Sequence, residues 1–454
     1  MSKEGIESDA EQVQKEQKLQ KQQEQVSSTN SSIERLAKSC DIKGESNFTK
    51  GCKFSPDGLC ILTATDADNT FRLYNNPMGA YQNWSTALSA KAGDSIRSYD
   101  WYPYMNSSQP ESCAFVAASR DQPIHLYDAY NGSIRATYSP YNALDEMESP
   151  NVVQFTPDGS RIFAGGFRTD RTIHKFDVSR PGRDSDILRL GKTRRSKDGQ
   201  KGILSALAFP STTSVFSKVF AVATYSPGSI FVYDDRLPND NPGGTIMHGI
   251  CIMGHGKSFT KKRRFVDISK ENNTITAQDD FDDMFAAAKV KWYQSRVRTG
   301  VTQLAWANPN GGNMNEYLLY SASRNSDAII AFDLRMLTGM EHPIRGVGSF
   351  PRNGQSNQRL EFDFNSEGTR IYVAENDNTI KIYDTTSYSL VDTIAGFATI
   401  TNGVSFGSYY DKSFLAVSTG CRQFNISEDE DNREINASSS CGGLYLHELK
   451  KDTN

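Results

Sequence analysis

The chain has 454 residues, and its 50 Lys and Arg side chains against 54 Asp and Glu give a formal net charge of −4. That balance excludes a protein covered in basic residues, so any nucleic-acid site is expected to be a local basic patch. The seven cysteines have no zinc-type spacing, and no signal peptide or run of 18 apolar residues is present, which predicts a soluble protein of the cytosol or nucleus without a membrane partner.

Residues 1–45 form the first predicted unit. This stretch is rich in Gln, Lys, Glu and Ser and contains almost no large apolar side chains. A segment of this composition buries too little apolar surface to offset the conformational entropy lost on ordering. Residues 1–45 are therefore predicted to be a disordered polar tail.

The rest of the chain repeats one pattern seven times: an apolar, β-rich stretch ends in an aromatic residue, or once a histidine, followed by Asp, Asn or Glu. These closing pairs are Tyr74-Asn75, Tyr127-Asp128, Phe176-Asp177, Tyr233-Asp234, Phe332-Asp333, Tyr383-Asp384 and His447-Glu448. Their second members lie 53, 49, 57, 99, 51 and 64 residues apart, which is long enough for four short strands and their loops. The predicted fold is all-β, a seven-bladed WD-repeat β-propeller over residues 46–454 with a disordered N-terminal tail.

Three of the repeats share a hairpin formula. The segments KFSPDG, QFTPDG and DFNSEG end at Gly58, Gly159 and Gly368. Each predicts an inner strand that reaches a tight turn, where glycine accepts a positive φ, and then a second strand.

The two chain ends are predicted to pair. After His447-Glu448 only residues 449–454 remain, too few for a convincing outer strand in the seventh blade. Residues 41–50 are the expected donor of that strand, which would close the ring and protect an exposed edge.

The gap of 99 residues between Asp234 and Asp333 has two interpretations, an eighth blade or a loop insertion. TIMHGICIMGHG at 245–256 reads as an outer strand, and VTQLAWANPN at 301–310 reads as the next inner strand. The residues between them are charged and lack paired strand signals, so a charged insertion at 257–300 is the favoured interpretation.

Three charged segments are expected in loops that open on one face of the propeller. They are RLGKTRRSKDGQKG at 189–202, the insertion at 257–300, and the acidic SEDEDNRE at 427–434. Clustered Lys and Arg neutralise phosphates, and aromatic rings among them stack on unpaired bases. The candidate RNA-binding residues are Lys192, Arg194, Arg195, Lys197, Lys201, Lys261, Lys262, Arg263, Arg264, Trp292, Tyr293, Arg296 and Arg298. The alternatives are that KKRR is a nuclear-import patch and that these loops are only solvated.

No catalytic, metal or cofactor site is predicted. HExxH is absent, and GHGKS at 254–258 lacks the earlier glycine of a phosphate-binding loop because position 251 is Cys. His125 and His174 lie inside third strands, where packing explains them. The protein is therefore not expected to be an enzyme.

Several segments resemble the telomerase Cajal body protein family of WD-repeat proteins. They include GCKFSPDGLCILTATDADNTFRLYN at 51–75, DWYPYMNSSQP at 100–110, LDE at 144–146, VSRPGRD at 178–184 and TNGVSF at 401–406. The resemblance implies a non-enzymatic nuclear propeller that binds small non-coding RNAs and their ribonucleoproteins. It also implies partners among small nuclear or small Cajal body-type RNA, spliceosomal ribonucleoprotein subunits and telomerase RNA.

The chain departs from the animal pattern in its shorter tail, which has no Pro-rich region, and in the insertion at 257–300. Both departures suit a fungal member related to the yeast splicing-associated homologues. The leading hypothesis is therefore action in pre-mRNA splicing or small nuclear ribonucleoprotein biogenesis. The alternatives are trafficking of small Cajal body RNA and telomerase RNA, and a hub that contacts only proteins.

Overall fold

The computed structural model is a β-propeller whose strands form seven four-stranded antiparallel sheets. It describes residues 33–38, 47–75, 85–191, 199–210, 218–226, 228–235, 250–253, 300–307, 317–334, 347–409, 412–421 and 442–449. Helical structure within these ranges comprises the short 3-10 helix Pro110–Ser112 and the single 3-10 residue Leu334. No described helix has the length and apolarity needed to cross a membrane.

The first four blades follow one another in chain order, and each runs from an inner strand at the ring centre to an outer strand. Blade 1 contains β2 (Thr49–Phe54), β3 (Cys60–Thr65), β4 (Thr70–Asn75) and β5 (Ser85–Lys91). Blade 2 contains β6 (Ile96–Trp101), β7 (Ala114–Ser119), β8 (Ile124–Asp128) and β9 (Ile134–Tyr138). Blade 3 contains β10 (Val152–Phe155), β11 (Arg161–Gly165), β12 (Thr172–Asp177) and β13 (Asp186–Arg189). Blade 4 contains β14 (Leu204–Ala208), β15 (Val219–Thr224), β16 (Ile230–Asp234) and β17 (Ile250–Met253).

The last three blades complete the ring. Blade 5 contains β18 (Val301–Trp306), β19 (Leu318–Ser323), β20 (Ala328–Asp333) and β21 (Gly348–Pro351). Blade 6 contains β22 (Phe362–Phe364), β23 (Arg370–Ala374), β24 (Ile380–Asp384) and β25 (Leu390–Ile394). Blade 7 contains β26 (Thr401–Tyr409), β27 (Lys412–Thr419) and β28 (Gly443–Leu449), and its outer strand is β1 (Ile33–Lys38).

The closing pairs mark the ends of the third strands, as predicted. In six blades the Asp or Asn of the pair is the last residue of the third strand, and in blade 7 Glu448 comes one residue before the end of β28. The aromatic member points into the core, since Tyr74, Phe176 and Phe332 are all buried. The seven-bladed fold inferred from these pairs is confirmed.

The predicted glycine turns are also confirmed. Gly58, Gly159 and Gly368 have φ values of 72°, 66° and 69°. Each glycine N–H donates to the carbonyl three residues earlier, at 2.9, 2.8 and 3.0 Å. Glycine adopts this left-handed conformation without a steric penalty, which explains its place in all three hairpins.

The ring closes by pairing the two chain ends, but the donor segment differs from the predicted one. β1 pairs antiparallel with β28, from Ile33 opposite His447 to Lys38 opposite Gly443. The assignment of residues 41–50 to this strand was wrong, because Thr49 already begins the inner strand of blade 1. β1 also lies inside the predicted tail, and there the strand replaces the expected disorder. Residues 1–32 and 39–45 lie outside the described residues, so the rest of that prediction stands as a prediction.

Direct contacts between blades 4 and 5 exclude an eighth blade in the 99-residue gap. The Trp306 indole N–H donates to the Ala208 carbonyl oxygen at 3.0 Å, so β18 and β14 are neighbouring inner strands. β17 and β18 lie within the segments read as outer and inner strands. Residues 254–299 of the proposed insertion lie outside the described residues.

Side chains on the inner strands join neighbouring blades. Ser405 accepts from the Phe54 N–H at 3.0 Å, which joins blade 7 to blade 1. Gln303 makes two hydrogen bonds with the backbone of Phe362, at 2.8 and 3.0 Å, which joins blade 5 to blade 6. These bonds satisfy buried backbone groups and hold the ring rigid beneath its loops.

Candidate functional site

Two kinds of loop open on one face of the ring, which we call the upper face. They are the loops from an outer strand to the next inner strand and the loops from a second to a third strand. The three charged segments belong to such loops, at residues 190–203, 254–300 and 420–442 between the bounding strands. Their predicted location on one face follows from the strand order, because antiparallel neighbours alternate in direction.

The basic loop, residues 190–203, is anchored at its base. The Gln200 N–H donates to the Leu190 carbonyl oxygen at 2.9 Å. The buried Gln200 amide donates to the Val222 carbonyl at 3.0 Å and accepts from the Tyr233 hydroxyl at 3.0 Å. The loop therefore leaves and re-enters the blade at a defined point.

Of the five candidate side chains in the basic loop, the structure describes one. Lys201 is half-buried beside the Gln200 anchor. Lys192, Arg194, Arg195 and Lys197 lie outside the described residues, and their role stays a prediction.

Two glycines make the base of the basic loop sterically tight. Gly199 and Gly202 have φ values of 78° and 95°. A Cβ at Gly199 would lie 2.1 Å from the Leu190 carbonyl oxygen, and one at Gly202 would lie 1.9 Å from that of Ser226. Neither position has room for a side chain.

Replacement of Gly202 by Ala is expected to destabilise the protein by about 2 kcal/mol or more, because it adds left-handed strain and a backbone clash. The midpoint of thermal unfolding measures the effect. Gly182→Ala is the matched control, because Gly182 also has a positive φ, 122°, but a Cβ added there would meet nothing within 4 Å. Equal losses in the two variants would show that the close approach to Ser226 contributes nothing.

The insertion returns to the ring beside the same blade. Gly300 precedes β18, and a Cβ there would lie 2.2 Å from the Tyr225 carbonyl oxygen. Tyr225 begins the second-to-third loop of blade 4, and its N–H donates to the Ile203 carbonyl at 3.0 Å. Both basic segments therefore rejoin the propeller next to Tyr225. The candidates Lys261, Lys262, Arg263, Arg264, Trp292, Tyr293, Arg296 and Arg298 lie outside the described residues.

A cation–π contact that the sequence analysis missed lies at this junction. The guanidinium carbon of Arg324 in blade 5 lies 4.5 Å from the centroid of the Tyr225 ring. The Arg324 N–H donates to the Gly300 carbonyl at 2.9 Å, which fixes the arginine beside the end of the insertion. The Arg324 Nε is buried and has no hydrogen-bond acceptor. Among the described residues, no carboxylate forms an ion pair with Arg324.

Repeat alignment is the signal that would have found this pair. Tyr225 directly follows the second strand of blade 4, and Arg324 directly follows the second strand of blade 5. Equivalent positions in adjacent blades are neighbours in space. The two residues are 99 positions apart in the chain, so local charge counting does not connect them.

Arg97 contributes a further positive charge to the upper face from blade 2. Its Nη1 donates to Asn151 Oδ1 at 3.0 Å and to Ser149 Oγ at 3.3 Å. Burial lowers the pKa of Arg97, and the guanidinium interacts electrostatically with Asp121 and with Tyr225. Arg97 and Arg324 therefore both add positive charge to the upper face, and Arg324 contacts the Tyr225 ring.

Comparisons with known proteins agree with this architecture. A family model described as "WD domain, G-beta repeat" matches residues 39–75. Telomerase Cajal body protein 1 of Mesocricetus auratus is 29% identical over 394 residues, which cover 83% of this chain and 59% of that relative. The human protein of that name is 37% identical over 225 residues, which cover 47% of this chain and 39% of the human protein. Over most of its length, the chain is therefore similar to the telomerase Cajal body proteins.

A fungal protein is also similar to this chain. Guanine nucleotide-binding protein negative regulator 1 of Schizosaccharomyces pombe is 25% identical over 403 residues, which cover 86% of this chain and 83% of that protein. The mammalian relatives are longer, and the chain spans only about three fifths of their length.

The motifs that carry the family resemblance have structural roles in this relative. In DWYPYMNSSQP, Trp101 donates to the Lys53 carbonyl at 3.2 Å, and Ser107 donates to Asp57 Oδ2 through its N–H at 2.7 Å and its hydroxyl at 2.6 Å. Asp57 belongs to blade 1, so the motif joins blades 1 and 2. The hydrogen bonds of Asp57 lower its pKa against the opposing effect of burial, which is the largest single influence.

The LDE and RPGRD motifs contact each other. Arg183 forms an ion pair with Asp145, and its guanidinium lies 4.3 Å from the centroid of the Tyr141 ring. These contacts fasten the loop 139–151 of the upper face to blade 3. These motifs of the family resemblance therefore lie outside the three charged segments.

Two buried titratable groups have shifted pKa values that packing explains. Burial lowers the pKa of His174 to about 4, and its Nδ1 lies 2.9 Å from Ser185 Oγ. Burial raises the pKa of Asp363 to about 6, and this carboxylate accepts from the Phe364 and Phe406 N–H groups at 2.9 and 2.8 Å. The packing role predicted for His174 is confirmed. No group of three or more potential metal-ligating side chains occurs in the described part of the chain.

Proposed function

We propose that this chain is a non-enzymatic nuclear protein that binds small nuclear RNA or its ribonucleoprotein and acts in pre-mRNA splicing or small nuclear ribonucleoprotein biogenesis. The observation that carries the proposal is the junction at blade 4. There the basic loop and the insertion re-enter the ring on either side of Tyr225, beside the Arg324 guanidinium.

The chemistry of the two segments supports RNA as the ligand. The basic loop carries five candidate cations between 192 and 201, and the insertion carries Trp292 and Tyr293 among Lys and Arg residues. Cations that replace the counterions of phosphate groups give salt-dependent affinity, and aromatic rings stack on unpaired bases. A rigid ring that presents both on one face suits a folded RNA with an exposed loop.

The second candidate is trafficking of small Cajal body RNA and telomerase RNA. The name "Telomerase Cajal body protein 1" of the mammalian relatives supports it. This alternative uses the same upper face and predicts a different set of bound RNAs.

A hub that contacts only proteins is the third candidate. The name of the S. pombe relative refers to a guanine nucleotide-binding protein, and the second-to-third loop of blade 7 carries the acidic segment 427–434. In this case the chain would reach RNA only through its protein partners.

Ultraviolet crosslinking in living cells, followed by purification and sequencing of attached RNA, tests the proposal. Strong enrichment of spliceosomal small nuclear RNA is expected, whereas enrichment of telomerase or small Cajal body-type RNA would select the second candidate. Background crosslinking, with protein partners that survive ribonuclease treatment, would select the hub and contradict RNA binding.

A further inference from the structure

We propose that Tyr225 and Arg324 form a stacking platform that receives one unpaired nucleobase at the junction of blades 4 and 5. This inference rests on the proposed function, and it goes further by naming the described residues that contact a base. Neither residue belongs to the charged segments that the sequence singled out.

The geometry of the pair suits a planar ligand. The guanidinium carbon of Arg324 lies over the Tyr225 ring, 4.5 Å from its centroid, so a cation and an aromatic face are already in contact. Both side chains are partly exposed. A nucleobase can stack on this pair because every base has a π-face and a guanidinium is itself planar.

The hydrogen-bonding state of Arg324 also points to a ligand. Its Nε is buried without an acceptor, and the described residues offer its guanidinium no ion pair. A buried donor without a partner costs free energy comparable to a lost hydrogen bond. A phosphate or base oxygen at the accessible part of this guanidinium would supply a negative charge or an acceptor that the described residues do not.

Two backbone hydrogen bonds hold the platform in place. Tyr225 N–H donates to the Ile203 carbonyl, and Arg324 N–H donates to the Gly300 carbonyl. Ile203 ends the basic loop, and Gly300 ends the insertion. RNA bound at the described ends of these two segments would therefore pass over the platform.

Arg97 adds a further positive charge to the same face from blade 2, where it donates to Asn151 Oδ1. Its guanidinium interacts favourably with Asp121 and Asp94 and unfavourably with Arg120. A nucleotide offers both a flat base for Tyr225 and Arg324 and phosphates for the positive charges of this face, whereas a carboxylate peptide has no flat face to stack.

The test uses the full chain and a twelve-nucleotide oligouridine RNA with one central 2-aminopurine, single-stranded or annealed to its complement. Stacking quenches 2-aminopurine fluorescence. The wild type and Tyr225→Phe are expected to quench the single strand, whereas Tyr225→Leu loses the quench and binds about tenfold more weakly. The salt dependence is expected to stay unchanged, because no phosphate contact is removed. Addition of the protein to the duplex is expected to leave the 2-aminopurine fluorescence unchanged.

Arg324→Lys is the second variant, because it keeps the positive charge and loses the planar face. It is expected to weaken single-strand binding severalfold, and it decides the matter if Tyr225→Leu fails to fold. Two outcomes would show that the pair only joins blades 4 and 5. Either both variants quench the fluorescence as the wild type does, or they bind more weakly but still quench it. A different outcome would contradict the proposed function itself: the wild type binds neither the probe nor the RNA recovered by crosslinking in cells.

Discussion

A chain that lacks residues 1–38 is expected to unfold at a much lower temperature than one that lacks residues 1–32. The difference between the two is the six-residue strand β1, the outer strand of blade 7. Its loss removes five residue pairings with β28. At about 1 kcal/mol for each net hydrogen bond, the free energy of unfolding should fall by roughly 3–5 kcal/mol.

Loss of β1 also creates a free sheet edge. Leu444 and Leu446 of β28 are 0% and 4% exposed in the closed blade. Without β1, the backbone N–H and C=O groups along β28 become available to pair with another chain. We therefore expect the shorter chain to aggregate on heating, as measured by light scattering during thermal unfolding.

The chain that lacks residues 1–32 is the control for loss of the tail alone. It retains β1 and should unfold close to the temperature of the full chain. Equal unfolding temperatures for the two truncated chains would mean that β1 does not close the ring, and blade 7 would then be stable with three strands.

The architecture could be predicted because its signals are local. A closing pair such as Phe176-Asp177 marks a strand end within a few residues, and a turn such as that at Gly159 requires glycine for a positive φ. Repetition of these signals then gives the number of blades.

β1 could not be predicted in the same way because its strand conformation depends on a partner at the other end of the chain. IERLAK lies within a polar segment, and its composition favours disorder. The unpaired edge of β28 supplies the hydrogen-bonding groups that order it. The composition of a segment indicates how much apolar surface it can bury by itself. It does not indicate whether a distant strand edge can pair with its backbone.

The candidate site likewise has a part that the sequence predicts and a part that it does not. Charge runs in the basic loop are visible in the sequence, whereas the contact between Tyr225 and Arg324 depends on two loops of adjacent blades. Gln200 is likewise an ordinary residue in the sequence, and only its buried contacts identify it as the anchor of the basic loop.

Reversal of the five cations of the basic loop is expected to reduce RNA affinity by at least a hundredfold at low salt and to weaken its salt dependence. The variant carries Glu at positions 192, 194, 195, 197 and 201. For single-stranded RNA the logarithm of affinity falls by about 0.7 per phosphate contact for each tenfold rise in salt, so loss of several contacts flattens the slope. Fluorescence anisotropy over a range of salt concentrations measures both quantities.

The matched control reverses five cations at the opposite end of the blades, Arg161, Arg180, Lys218, Arg370 and Lys412. Four of them begin or directly precede a second strand, and Arg180 follows a third strand, so they lie away from the upper face. Both variants change the net charge equally, and thermal unfolding establishes whether each is folded. If only the first variant loses affinity, RNA binds a local basic patch on the upper face. Equal losses would show that the overall charge of the protein governs binding, and unchanged affinity in the first variant would remove the basic loop from the RNA site.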